Sequence, residues 1–294
     1  NSIVDITKMT IGLDPVWTGA ILTIFVAAIT IGGLQSIAAA ASRIVPAMAF
    51  IYFLSTIGVL LVFADKVPAA VSMIFESAFT TTAATGGFLG ATVMMAMRNG
   101  VARGVFSNES GLGSAPIVAA AAKTKWPAEQ GLISMTGTFI DTIIICTLTG
   151  LTIIVSGAWL GDTNGAALTQ AAFSHGYGAV APILLTVSLT LFAFTTILGW
   201  NYYGERCLVY LVGVRGITPY RLCYVAIIAG SAFMQLEEIW ALADIVNGLM
   251  AIPNLIALLG LTGVVVAETK RYFQHLAIRD AKLVAYKARH IGKK

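Results

Sequence analysis

The chain has 294 residues, of which 57% are hydrophobic and 11% are charged, and its mean hydropathy is +0.85. A soluble domain carries about 25% charged residues, so this composition excludes a soluble enzyme, a nucleic-acid-binding domain and a disordered chain. The net charge of +4 does not indicate a nucleic-acid partner, because the basic residues lie between the apolar segments. The three cysteines form no CxxC pair, and we expect buried thiols rather than a disulfide framework.

Apolar segments long enough to cross a bilayer recur along the whole chain. A hydrocarbon core of about 30 Å requires about 20 residues of helix, and a helix satisfies its own backbone hydrogen bonds. We predict a single transmembrane domain over residues 1–294, with a short sixth span and interrupted third and seventh spans. The predicted spans are 17–37, 45–63, 68–97, 132–155, 180–203, 220–233 and 239–266.

The basic residues predict the orientation of these spans. Of the 18 lysines and arginines, 16 fall in the loops after spans one, three and five or in the tail after span seven. Only Lys8 and Lys66 fall on the opposite side. We therefore expect a multi-pass protein of the plasma membrane with a cytoplasmic C-terminus. The basic tail, residues 268–294, is predicted to be either an amphipathic helix near anionic headgroups or a solvated cytoplasmic segment.

Span three contains threonines and glycines near the middle of the membrane. Thr80, Thr81, Thr85, Gly86 and Gly87 weaken the continuity of the helix there, since each glycine lowers helix stability by roughly 1 kcal/mol. A helix broken at this depth offers backbone N–H groups to a carboxylate and carbonyl groups to a cation. The alternative is a close contact between helices through small residues.

Polar side chains inside other spans are further candidates. Thr195 and Thr196 of span five offer adjacent hydroxyl oxygens, which suit a hard cation such as Na⁺. The alternative is that each hydroxyl bonds a carbonyl of its own helix. Asp141 of span four and Glu76 of span three are ionisable groups inside the membrane, which mark coupling sites or structural polar contacts. Asp244, in span seven, lies close to the predicted outer surface.

The loop after span three is low in charge and rich in glycine, although the basic residues place it on the cytoplasmic side. We expect it to pack against the helices as an inner gate, with Ser107, Asn108, Glu109, Gly111 and Gly113 as its candidate residues. The loop has no phosphate-binding GxxxxGK[ST] pattern. The chain has no HExxH or GxSxG motif and no histidine within a span, which argues against an enzyme.

This loop carries the sequence FSNESGLGSAPI over residues 106–117, which closely resembles the FSNEAGLGSAPI signature of the sodium:alanine symporter family. Ser110 replaces the usual alanine. Further stretches that resemble the family follow in order through the chain, and the whole resembles the C-terminal two-thirds of a family member. These stretches are AATGGF (83–88), GTFIDT (137–142), FAFTTILGW (192–200), YYGE (202–205) and PN (253–254).

The resemblance implies an all-α, leucine-transporter-type fold made of two inverted five-helix repeats. Here it is incomplete, with the last two helices of repeat one and all five of repeat two. It also implies sodium-coupled symport of alanine or glycine by alternating access. The substrate is expected to bind at the break over 80–88, which includes Phe88, and at Trp200, while Na⁺ binds at Thr195 and Thr196. We expect no cofactor besides Na⁺ as the coupling ion.

Two alternatives stay open at this point. One is a proton-coupled amino-acid transporter, in which Asp141 or Glu76 carries the proton. The other is a channel or pore module, although no ring of carbonyls or charges typical of a selectivity filter is evident. A symporter shows saturable uptake and counter-transport, whereas a pore does not.

Overall fold

The structure, a computed structural model, describes residues 1–79, 87–163, 165–231 and 236–291, and the long regular elements in these ranges are helices. A π-helical segment, Phe139–Cys146, joins α7 to α8. In chain order the helices are α1 Ser2–Ile11, α2 Pro15–Ile31, α3 Gly33–Val62, α4 Val67–Phe79, α5 Gly87–Ser107, α6 Ala115–Ala119, α7 Pro127–Thr138, α8 Thr147–Ser156, α9 Gly165–Tyr177, α10 Ala181–Val212, α11 Ile217–Ser231 and α12 Leu236–Ile291.

Helices lie within each of the seven segments that we predicted to cross the membrane. Only 11% of the most apolar window of Pro127–Ser156 and 0% of that of Trp240–Lys282 is buried within the chain. Apolar faces of this size require a non-aqueous surrounding, so the chain is a multi-pass membrane protein. The helical segments long and apolar enough to cross a bilayer are Gly33–Val62, Pro127–Ser156, Gly165–Val212 and Trp240–Lys282, and Pro15–Ile31 is a shorter apolar helix.

Local sequence explains where α2 begins and ends. Asp14 caps its start, because the Oδ1 atom accepts the backbone N–H of Val16 at 2.8 Å, and Pro15 suits the first turn, where no intrahelical N–H bond is lost. Gly33 follows its last turn with φ of +69°, a conformation that favours glycine. The chain therefore turns directly from α2 into α3.

The described chain divides into two compact units. The first consists of Asn1–Arg103 and Thr142–Asp244, and the second of Gly104–Asp141 and Ile245–Lys294. The predicted cation-binding threonines belong to the first unit, and the predicted inner-gate loop belongs to the second.

The core of the first unit is built around the ring of Tyr52 on α3. This ring stacks on Phe173 of α9, with 5.9 Å between the centroids. It also meets Phe192 of α10 edge to face at 5.5 Å. The Tyr52 hydroxyl satisfies its hydrogen bond with the Thr149 hydroxyl of α8 at 2.7 Å. One aromatic side chain therefore ties α3, α8, α9 and α10 together.

Two expectations about single segments have a structural outcome. The prediction of buried thiols is wrong, because Cys146, Cys207 and Cys223 are all exposed. They lie on outward faces of apolar helices, and an apolar sequence context does not distinguish such a face from a protein core. The basic tail is helical through Ile291, as a direct continuation of the last predicted span.

Candidate functional site

The hydroxyl groups of Thr195 and Thr196 both bond to carbonyls of their own helix, α10. The Thr195 Oγ1 atom donates to Leu191 O at 3.1 Å or Phe192 O at 3.0 Å, and it also lies 3.7 Å from the Sδ atom of Met48. The Thr196 Oγ1 atom donates to Phe192 O at 3.0 Å. A hydroxyl that donates its proton in this way keeps its oxygen lone pairs for another partner. These are the bonds that the alternative stated above expects, in which each hydroxyl bonds its own helix, and a cation at the oxygen lone pairs stays a prediction.

A cavity of about 530 Å³ lies in the first unit, and its lining includes Thr196 but not Thr195. Side chains from α1, α2, α10, α11 and α12 form its wall. The wall is mostly apolar, with residues such as Phe192 and Ile228, and it includes the polar residues Thr196 and Ser231. Its size lies in the range of small-molecule sites, which are typically apolar with a few placed polar groups.

Trp240 contributes to the same cavity wall, and its position is fixed by a charged neighbour. The Arg103 guanidinium lies 4.2 Å from the centre of the Trp240 ring. Arg103 also donates to both carboxylate oxygens of Asp244, at 2.8 and 3.1 Å. The predicted topology assigns Arg103 to a cytoplasmic loop and Asp244 to the outer surface, so this ion pair disagrees with the predicted placement of at least one of the two residues. The cytoplasmic position of the C-terminus stays a prediction.

The predicted substrate residues fall mainly at the gap between α4 and α5. Thr80, Thr81, Thr85 and Gly86 lie outside the described residues. Gly87 and Phe88 form the first turn of α5, where only their backbone is described. The prediction of a broken helix at this point is therefore not tested.

Trp200 and Glu76 take part in contacts along their own helices. Trp200, on α10, meets the ring of Tyr203 edge to face with 5.6 Å between the centroids. The Oε1 atom of Glu76, on α4, accepts the hydroxyl of Ser72 at 2.8 Å. These contacts leave the predicted roles of both residues untested.

Asp141 and the predicted inner-gate loop meet in the second unit. The Ser107 hydroxyl donates to the Oδ2 atom of Asp141 at 2.7 Å, and Asp141 lies in the π-helical segment between α7 and α8. Such segments are rare and are frequent at functional sites. The Asn108 Oδ1 atom accepts the backbone N–H of Ser110 at 3.0 Å, which forms a tight local turn. Glu109 has φ of +54°, an unusual conformation for a residue other than glycine.

The second half of this loop packs against Asn254 of α12. The Asn254 Nδ2 atom donates to Gly111 O at 3.0 Å. Gly111 and Gly113 have φ of +78° and +82°, and a Cβ atom at Gly113 would lie 3.1 Å from Asn254. Glycine is therefore favoured by conformation at both positions and also by the limited space at Gly113. Within the second unit, the loop is held by Asp141 at one end and by Asn254 at the other.

Comparisons with known proteins identify the family of this chain. The model of the sodium:alanine symporter family matches residues 1–285. An uncharacterized transporter of Haemophilus influenzae is 53% identical over 280 residues, which cover 95% of this chain and 61% of the relative. The sodium/alanine symporter AgcS of Methanococcus maripaludis is 47% identical over 289 residues, which cover 96% of this chain and 62% of the relative.

A more distant relative carries a different substrate in its name. The probable sodium/glutamine symporter GlnT of Bacillus subtilis is 38% identical over 263 residues, covering 89% of this chain and 54% of the relative. The chain spans about three fifths of the length of the Haemophilus influenzae transporter and of AgcS. Because the family model matches nearly the whole chain, the protein belongs to the sodium:alanine symporter family, whose members are transporters and not enzymes.

Proposed function

We propose that this protein carries out sodium-coupled symport of small neutral amino acids, alanine or glycine, across the plasma membrane. The observation that carries the proposal is the place of Thr196, whose hydroxyl oxygen keeps free lone pairs at the wall of a cavity of about 530 Å³. Membership of the family supports a transport role. The relative at 47% identity is named a sodium/alanine symporter, which supports Na⁺ and alanine as the transported pair.

We propose that the mechanism is alternating access within a leucine-transporter-type inverted-repeat fold. Na⁺ binds the hydroxyl oxygens of Thr195 and Thr196 together with backbone carbonyls, since Na⁺ prefers oxygen ligands. The substrate carboxylate binds backbone N–H groups of the 80–88 segment, and substrate binding leads one set of helices to rock about the site. In this proposal the C-terminus lies in the cytoplasm, on the side that carries most of the basic residues.

Proton coupling is the second candidate, and one observation favours it. Asp141 is an ionisable group in an apolar helix, and its carboxylate accepts a hydrogen bond from Ser107 of the predicted inner-gate loop. A carboxyl group that gains and loses a proton changes this bond, and intramembrane carboxyl groups carry protons in many transporters. In that case Asp141→Asn abolishes coupling, whereas Thr196→Val does not.

Uptake by proteoliposomes tests the proposal and separates it from the alternatives. We expect full-length protein to accumulate labelled alanine when an inward Na⁺ gradient is imposed and not when K⁺ replaces Na⁺. Unlabelled glycine competes, and preloaded alanine accelerates uptake by exchange, which a pore cannot produce. Accumulation of alanine driven by a pH gradient in K⁺ buffer would show that protons, and not sodium ions, are the coupling ion. Uptake that neither saturates nor exchanges would identify a pore.

A further inference from the structure

The C-terminal part of α10 contains a buried carboxylate that the proposed cation site does not use. The side chain of Glu205 is only 5% exposed. Its Oε1 atom accepts from the Nη2 atom of Arg206 at 2.8 Å, and its Oε2 atom accepts from the Nε atom of Arg221 at 2.7 Å. Removing a charge from water costs several kcal/mol unless it is paired with good geometry. Glu205 therefore requires these partners.

Arg221 connects this carboxylate to two further helices. It lies on α11, and its Nη1 atom donates to the backbone oxygen of Ile31 at 3.2 Å. Ile31 is the last residue of α2, where carbonyls lack partners within the helix and where a positive charge is favoured by the helix dipole. The Nη2 atom approaches within 3.3 Å of the place a Cβ atom would take at Gly33. One guanidinium group thus joins the ends of α2, α10 and α11.

Two tyrosines of α11 extend the contact between α11 and α10 toward the threonines of the proposed cation site. The Tyr220 hydroxyl donates to Asn201 O at 3.3 Å, and a Cβ atom at Gly204 would lie 2.1 Å from it. The Tyr224 hydroxyl donates to Ile197 O at 2.8 Å. Ile197 directly follows Thr196 and lines the same cavity. The contact between α10 and α11 therefore extends along α10 from Glu205 to Ile197, which is next to Thr196.

The predicted topology agrees with this arrangement. The end of α10 and the start of α11 fall in a loop that the basic residues assign to one side of the membrane, and Ile31 lies in the part of predicted span one nearest that side. The ion pair between Glu205 and Arg221 therefore joins residues that the predicted topology places near the same side of the membrane.

We infer that Glu205 and Arg221 are positioning residues, which hold α2, α10 and α11 as one body and thereby fix the place of the Thr195 and Thr196 hydroxyls. Neither side chain contacts the transported ion. The inference rests on the proposed function, because it assigns the hydroxyl pair to Na⁺. Loss of the ion pair weakens Na⁺ binding without removing a ligand oxygen, and leaves alanine binding at saturating Na⁺ nearly unchanged.

Transport by Glu205→Gln in the full-length protein tests the inference. We expect the Na⁺ concentration for half-maximal alanine uptake to rise on the order of tenfold. The alanine concentration for half-maximal uptake, measured at saturating Na⁺, should change less than twofold. The charge-swapped double variant Glu205→Arg with Arg221→Glu should recover part of the Na⁺ affinity. Arg215→Gln removes an exposed arginine of the neighbouring turn and should match the wild type.

The outcomes separate failure of the inference from failure of the proposed function. If wild-type uptake ignores Na⁺, the proposed function fails. If wild-type uptake requires Na⁺ and Glu205→Gln has wild-type Na⁺ dependence, the positioning role is wrong. Equal changes in the Na⁺ and alanine requirements also overturn it, because they indicate general loss of structure. If Glu205→Gln does not purify as a folded protein, Arg221→Lys, which keeps the charge and loses the forked geometry, must show the same selective loss of Na⁺ affinity.

Discussion

Thr196→Val should raise the Na⁺ concentration for half-maximal alanine uptake by about tenfold, which corresponds to about 1.4 kcal/mol of binding free energy. Valine has nearly the shape of threonine and replaces the hydroxyl with a methyl group, which offers no lone pair to a cation. The helix loses only a bond to its own Phe192 carbonyl, so the fold is retained. The alanine requirement at saturating Na⁺ should change little. Initial rates of labelled alanine uptake at varied Na⁺ measure both quantities.

Two variants control this experiment. Thr196→Ser keeps the oxygen and should stay within about threefold of the wild-type Na⁺ requirement. Thr262→Val removes a hydroxyl that bonds its own helix in the same manner, to Leu258 O at 2.9 Å, but lies on α12 outside the cavity lining. It should have no effect on Na⁺ dependence. Equal losses of Na⁺ and alanine affinity in Thr196→Val would contradict a cation-binding role.

Gly58→Ala should lower the thermal stability of the protein sharply. A Cβ atom at Gly58 of α3 would lie 1.8 Å from the Tyr177 hydroxyl oxygen and 3.0 Å from its Cζ atom. That hydroxyl is held in place, because it donates to Ser55 O at 2.8 Å. Overpacking of this kind costs about 3 kcal/mol. The midpoint of thermal unfolding in detergent should fall on the order of 5–10 °C.

The cost of Gly58→Ala depends on the Tyr177 hydroxyl, so a double variant checks the cause. Tyr177→Phe removes the clashing oxygen, and Gly58→Ala should be far less harmful in that background than in the wild type. Gly150→Ala is the matched control, since no atom lies within 4 Å of its added Cβ and alanine favours a helix. Its midpoint should stay level or rise. A wild-type midpoint for Gly58→Ala would contradict the close packing of α3 against the end of α9.

The sequence predicts the helical content and the location of the apolar segments well, because both follow from composition and local pattern. The signal for α2 is of this kind, since Asp14, Pro15 and Gly33 determine its ends by capping and backbone preference. The sequence also identified Ser107 and Asp141 separately as candidates. Their contact at 2.7 Å could not be predicted, because it depends on how distant segments pack.

The network around Glu205 shows the same limit more strongly. The YYGE stretch was notable only for its resemblance to the family, and no local pattern connects it to Ile31, which is 190 residues from Arg221. The signal was a carboxylate flanked by aromatic residues at the end of a span. Such a group is costly to bury unpaired, so it predicts a cationic partner, for which Arg206, Arg215 and Arg221 are equivalent candidates in the sequence.

Sodium coupling is the central claim, and alanine-dependent entry of radioactive sodium tests it most directly. Full-length protein is reconstituted into liposomes, and sodium influx is followed with and without external alanine at zero membrane potential. The account predicts that alanine accelerates sodium entry several-fold, and that Thr196→Val abolishes this acceleration at low Na⁺. Accumulation of alanine with unchanged sodium entry would contradict it.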